Sequence, residues 1–253
     1  MQPWNDDIRR QTRQIDGEHR RAMPVLAGML DRLSGTGGAT DQRLGDAALG
    51  TIHRRRFVTL GGATILSATF LAACGVKGRA GAPATTTSAP TSTKDINILR
   101  AASSLEEVAV AAYQKAIDSG LVTNPAVATA AQTFQSHHKD HSQLFQNATT
   151  SAGGEPYTKP NPVLMNQLIA PRLAAVTTEA DVIRLAYDLE RMAASTYQAD
   201  VGTFDDITFN QKVMTVGGIE ARHVAFLAPL LGLEATPDGP FQAIAGALSS
   251  GTV

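Results

Sequence analysis

The sequence predicts an all-α chain, a four-helix bundle built from two copies of one helical hairpin joined by a long crossover. The first sign is internal repetition. Leu105-Glu106, Ala109, Tyr113 and Gln114 return 84 residues later as Leu189-Glu190, Ala193, Tyr197 and Gln198. His138-x-x-His141 is followed 82 residues on by Glu220-x-x-His223. The second sign is apolar residues spaced three and four apart through four stretches, the helical period. The third lies in the connections: about five residues inside each hairpin, but twenty-nine over 149–177, with Gly153, Gly154 and four prolines. Short links make antiparallel neighbours, and a structureless loop that long needs a crossover to explain it.

Each helix has its own warrant. The first, near 95–119, carries Leu99, Ala102, Glu106, Ala109, Tyr113 and Ala116 on one seam and ends at Gly120. The second opens at Asn124-Pro125, a cap followed by proline at the first helical position. Its seam is Val127, Ala131, Phe134, His138, His141, Phe145 and Ala148. Within the crossover, 163–173 has the pattern of a short helix. Thr178-x-x-Asp181 resembles a capping box and opens the third long helix, with Ile183, Ala186, Glu190, Ala193, Tyr197 and Asp200 inward. The fourth follows Asp205-Asp206 and carries Val213, Val216, Glu220, His223, Leu227 and Leu230. Glu107, His137 and Asp140 fall off these seams and are expected to be solvated.

The bundle, 95–233, follows an N-terminal signal and a disordered tether. Arg54-Arg55-Arg56-Phe57-Val58 sets paired arginines before seventeen uncharged residues, 57–73, that end in Leu71-Ala72-Ala73-Cys74. A basic flank, a short apolar stretch and small residues before a processing point describe an export signal. Arg54-Arg55 resembles a twin-arginine signal and Leu-Ala-Ala-Cys a bacterial lipobox. The resemblance implies lipid on Cys74, membrane attachment and the twin-arginine export machinery as partner. An uncleaved membrane helix is the rival, disfavoured because about 20 apolar residues are usual for a span. Residues 1–74 thus divide into a cytoplasmic extension and the signal. Residues 75–94 are a flexible linker rich in Ala, Thr, Ser, Pro and Gly, and 234–253 a C-terminal tail.

The helical stretch 5–33, with Val25, Leu26, Met29 and Leu33 on one side, is a discarded tail or an over-called start, and no function attaches to it. The single cysteine excludes a disulfide within the chain and a Cys-rich zinc site. Residues 75–253 carry a formal charge of −4 and no basic run, which disfavours a nucleic-acid partner. A homodimer is compatible with the pattern; a storage cage fits poorly with a lipid on every subunit.

Glu106-x6-Tyr113, His138-x-x-His141, Glu190-x6-Tyr197 and Glu220-x-x-His223, in that order around a crossover, resemble the ferritin-like superfamily over residues 95–233. The resemblance implies a centre of two iron ions, with manganese or zinc as substitutes, and chemistry on oxygen, peroxide or Fe(II). It implies ligands at Glu106, His138, His141, Glu190, Glu220 and His223. His138 departs from the pattern, standing where the family has a bridging carboxylate. Three carboxylates and three imidazoles then face the metals, less anionic and richer in nitrogen, which favours zinc or copper more than the usual set does. A one-metal site is the rival.

Tyr113 and Tyr197 would hydrogen-bond a ligand carboxylate, shuttle an electron or serve as core aromatics, with the redox role the least favoured. Gly217-Gly218 gives close helix packing or room beside the metals. The bland alternative is six ionisable groups satisfying one another in a binding or assembly module. Against it, three buried carboxylates are costly without cations, and the seams carry no lysine or arginine. Arg100, Arg191 and Arg222 lie off the stripe.

Overall fold

The computed structural model describes residues 3–33 and 92–235. It places there the long helices α1 (Pro3–Leu33), α2 (Thr93–Asp118), α3 (Pro125–Ser151), α4 (Glu179–Asp200) and α5 (Ile207–Leu230). No strand occurs among the described residues. Arg54, Arg55, Cys74, the linker up to residue 91 and the tail after residue 235 lie outside them. Among the described residues no helix is long and apolar enough to cross a membrane.

Helix starts follow from side chains that accept the free N–H groups of a first turn. Ser92 caps α2, Asn124 caps α3 with Pro125 behind it, and Asp206 caps α5. Thr178 and Asp181 form a reciprocal capping box on α4. The helices of each hairpin part at a glycine with positive φ, Gly120 (68°) after α2 and Gly202 (85°) after α4. A side chain with a Cβ rarely adopts that conformation. The crossover carries a short helix in three runs, Pro162–Leu164, the π-helical Met165–Ile169 and Ala170–Ala174.

The hairpins α2–α3 and α4–α5 hold each other by matched bonds. Buried Asp95, at the start of α2, accepts from the backbone N–H groups of Asp205 (2.8 Å) and Asp206 (3.0 Å) in the other hairpin's turn. Glu179, at the start of α4 and 84 residues later, accepts from Thr123 (2.6 Å) and Asn124 (2.9 Å) in the first hairpin's turn. The 84-residue repeat is therefore a repeat of contacts as well as of letters.

Helix α1 packs on α3 and α5 and belongs to the same compact unit as the bundle. Its buried face is Ile8, Thr12, Ile15, His19 and Leu26, whereas Val25 is 47 % exposed. Asn5 accepts from the Asn124 amide at 2.9 Å, and Glu18 pairs with Arg222 at 2.8 Å. One expectation is corrected here: His137 is only 1 % exposed, because α1 covers the flank of α3 that the four-helix seam leaves open.

At Gly217 a Cβ would lie 3.0 Å from the Cβ of Tyr197, whereas at Gly218 it would meet nothing within 4 Å. Close packing thus explains Gly217, and Gly218 borders an open groove shared with Tyr197 and Met214.

Candidate metal centre

Four helices aim one or two ligand-type side chains each into the middle of the bundle. Glu106 comes from α2, His138 and His141 from α3, Glu190 from α4, and Glu220 and His223 from α5. All six are at most 1 % exposed. They form two overlapping groups whose ligand atoms lie within 4.8 Å of one another: Glu106, His138, His141 and Glu220, then His138, Glu190, Glu220 and His223.

Two residues belong to both groups, and each turns a different atom to each side. Glu220 Oε1 lies 2.8 Å from His141 Nδ1, and its Oε2 lies 2.9 Å from His223 Nδ1. His138 brings Nδ1 to 2.7 Å from Glu106 Oε2 and Nε2 to 3.1 Å from Glu190 Oε1. The i, i+3 spacing in α3 and α5 puts each His beside its partner on one face.

The two tyrosines cross over. Tyr113 on α2 donates to Glu190 on α4 at 2.5 Å, and Tyr197 on α4 donates to Glu106 on α2. Each lies two turns, about 10 Å, along its helix from its own glutamate, so it reaches the other hairpin's instead. Both phenols are pushed well above their ordinary pKa, first by burial and then by the carboxylates, so both remain donors.

Protons are distributed unevenly in this centre. Burial raises the Glu106 and Glu220 carboxyls. Burial acts in the same direction on Glu190, yet His138 and His223 outweigh it and hold Glu190 well below the usual carboxylate range. His138 is raised well above an ordinary imidazole and His223 to about 9: burial opposes both shifts, and the surrounding glutamates overcome it. His141 goes the other way, lowered to about 3, chiefly by burial. Glu190 therefore sits as an anion between two imidazolium groups, while His141 keeps a lone pair available.

A family model described as the ferritin-like domain matches residues 94–233, more than half of the chain. The chain belongs to the ferritin-like domain family. No curated protein and no solved structure matches it. In this ferritin-like bundle the donor set suits divalent cations bound by oxygen and nitrogen. Both carboxylate oxygens of Glu220 and both ring nitrogens of His141 are buried without a hydrogen-bond partner. Their short separations are off the line a hydrogen bond needs, and atoms left this way suit a shared cation.

Among the described residues, no hydrogen bond or ion pair seen for the six involves lysine or arginine. Lys212 corrects the expectation of basic-free seams. It is fully buried on α5, two turns before Glu220.

A second layer of histidine backs the α5 side of the centre. His137 Nδ1 lies 3.0 Å from His223 Nε2, and His137 Nε2 lies 3.4 Å from Asp16 Oδ1 on α1. The His19 ring stacks on His137 with centroids 3.9 Å apart and leans on His141 at 5.1 Å. All five histidines among the described residues thus gather at one place. The signal for α1 was present as Ile8, Ile15 and Leu26 on one helical face, but Thr12 and His19 broke its apolar character.

Proposed function

We propose that this ferritin-like bundle holds two metal ions, iron first and manganese or zinc as substitutes, and that it acts on oxygen, peroxide or Fe(II). Glu106 and His141 would hold one ion, Glu190 and His223 the other, with Glu220 shared and His138, which has one lone pair when neutral, completing one half. Bound iron would supply the electron transfer. The observation that carries this reading is Glu220: one oxygen faces each half, and neither is hydrogen-bonded. Tyr113 and Tyr197 hold the outer carboxylates by donating to them, which fixes both while leaving their other oxygens turned inward. Burial excludes water from all six groups, so each electrostatic interaction there is strong.

Metal uptake should release protons, because His223 and His138 are protonated at neutral pH in the metal-free protein. Affinity should therefore climb as the pH rises towards about 9, the His223 value. Anaerobic Fe(II) titration in weak buffer measures uptake and proton release together. Uptake that releases no protons and ignores pH would refute this assignment of ligands. Oxygen consumption on Fe(II) addition separates turnover from passive binding.

A second reading has one observation in its favour. His138, charged and in contact with Glu106 and Glu190, can balance the cluster without metal, as a non-catalytic binding module would need. Protein from its own host that carries no metal and takes up none decides for that reading.

We also infer an extracytoplasmic lipoprotein, from Arg54-Arg55 and Leu71-Ala72-Ala73-Cys74. Replacing both arginines by lysine should trap precursor in the cytoplasm, and Cys74→Ala should abolish lipid labelling. Undiminished labelling of that variant removes the lipid anchor from the proposal.

A further inference from the structure

Outside the four-helix bundle, α1 has a continuous line of polar atoms running to a candidate metal ligand. Asp16 on α1 faces His137 Nε2 at 3.4 Å, and His137 Nδ1 faces His223 Nε2 at 3.0 Å. His223 Nδ1 then faces Glu190 Oε2 at 3.2 Å and Glu220 Oε2 at 2.9 Å. Arg20 fixes the far end, donating to both Asp16 oxygens at 3.0 and 2.5 Å.

A carboxylate can only accept, so Asp16 draws the ring hydrogen of His137 to Nε2. His137 Nδ1 is then the acceptor, and His223 must donate to it from Nε2. When metal displaces the other ring hydrogen, the lone pair that opens is the one on His223 Nδ1, which faces the interior. The hydrogen bond made by one ring nitrogen sets which nitrogen can bind metal. Residues 94–233 contain His137 and His223 but not the carboxylate that orders them.

We propose that in the full chain, before any cut at Cys74, α1 is a working part of the centre, with Asp16 and His137 as positioning residues that fix His223 for the metal held with Glu190. His19 completes the arrangement by stacking on the outer face of His137, so the ring cannot turn without displacing it. The proposal rests on the two-metal reading above.

The test is anaerobic Co(II) titration of the full chain, read by stoichiometry, affinity and visible absorption bands. Asp16→Ala removes the acceptor, while Asp16→Asn keeps an accepting oxygen. Glu18→Ala loosens α1 by breaking its pair with Arg222, without touching the line. The Asp16 side chain is a quarter exposed, and the thermal midpoint of each variant checks that α1 stays packed.

In Asp16→Ala one of two ions should bind about 10- to 100-fold more weakly, the usual cost of losing such a partner, with altered bands. Asp16→Asn should recover most of that affinity, and Glu18→Ala should match wild type. Wild-type affinity and bands in both Asp16→Ala and His137→Phe would overturn the proposal. So would equal weakening in all three α1 variants, which would assign α1 a packing role alone. Wild-type protein that binds no Co(II) defeats the two-metal reading itself, and the positioning role with it.

Discussion

Glu220→Ala should empty both halves of the centre at once. Glu220 belongs to both four-residue groups, so its loss takes one donor from each. Loss of a ligand's outer partner already costs about 10- to 100-fold in metal affinity, and loss of the shared ligand itself should cost more. The metal-free variant should nevertheless stay folded, because the apolar seams of the four helices carry the packing. Glu107→Ala is the control. That side chain accepts from Ser142 at 2.6 Å and Gln146 at 3.2 Å, outside the cluster, and its loss should leave metal content unchanged. Two equivalents of tightly bound iron in Glu220→Ala would exclude it as the shared ligand.

His138→Glu should act in opposite directions on the metal-free and loaded proteins. In the metal-free state His138 is the cation between Glu106 and Glu190, and a fourth carboxylate there removes that charge and adds repulsion. Breaking such a buried pair costs about 3–5 kcal/mol. With two divalent ions present, the same change supplies the carboxylate of the family pattern and should tighten the second iron. The gap in thermal midpoint between loaded and metal-free protein should widen well beyond that of wild type. An unchanged gap, with unchanged iron affinity, would show that His138 neither balances the metal-free cluster nor stands in a ligand position.

The sequence made most of the frame legible because its signals are local. Asn124-Pro125, Thr178-x-x-Asp181 and Asp206 are caps that act within four residues, and each opens a helix as expected. The i, i+3 pairs in α3 and α5 made the histidines traceable to one face. What needs a partner element was not legible. His137 is off the seam of a four-helix bundle and is buried only because a fifth helix lies over it. The tyrosine pairing was hidden for a similar reason: position along a helix says that Tyr113 points inward, but not that the carboxylate it meets is Glu190.

The order of segments along the chain turns the α1 contact into a question of mass action. As one polypeptide, α1 is tethered to its seat by residues 34–91, so docking is intramolecular and dilution cannot undo it. A cut before Cys74 would leave α1 on one product and the bundle on the other. In solution Asp16 and His19 would then remain at the centre only as half of a two-chain complex, whose occupancy falls as the protein is diluted; with the bundle exported and α1 left behind the membrane, they would be lost from it. An enzyme activity or metal affinity that drifts with protein concentration after processing, but not before it, would be the signature.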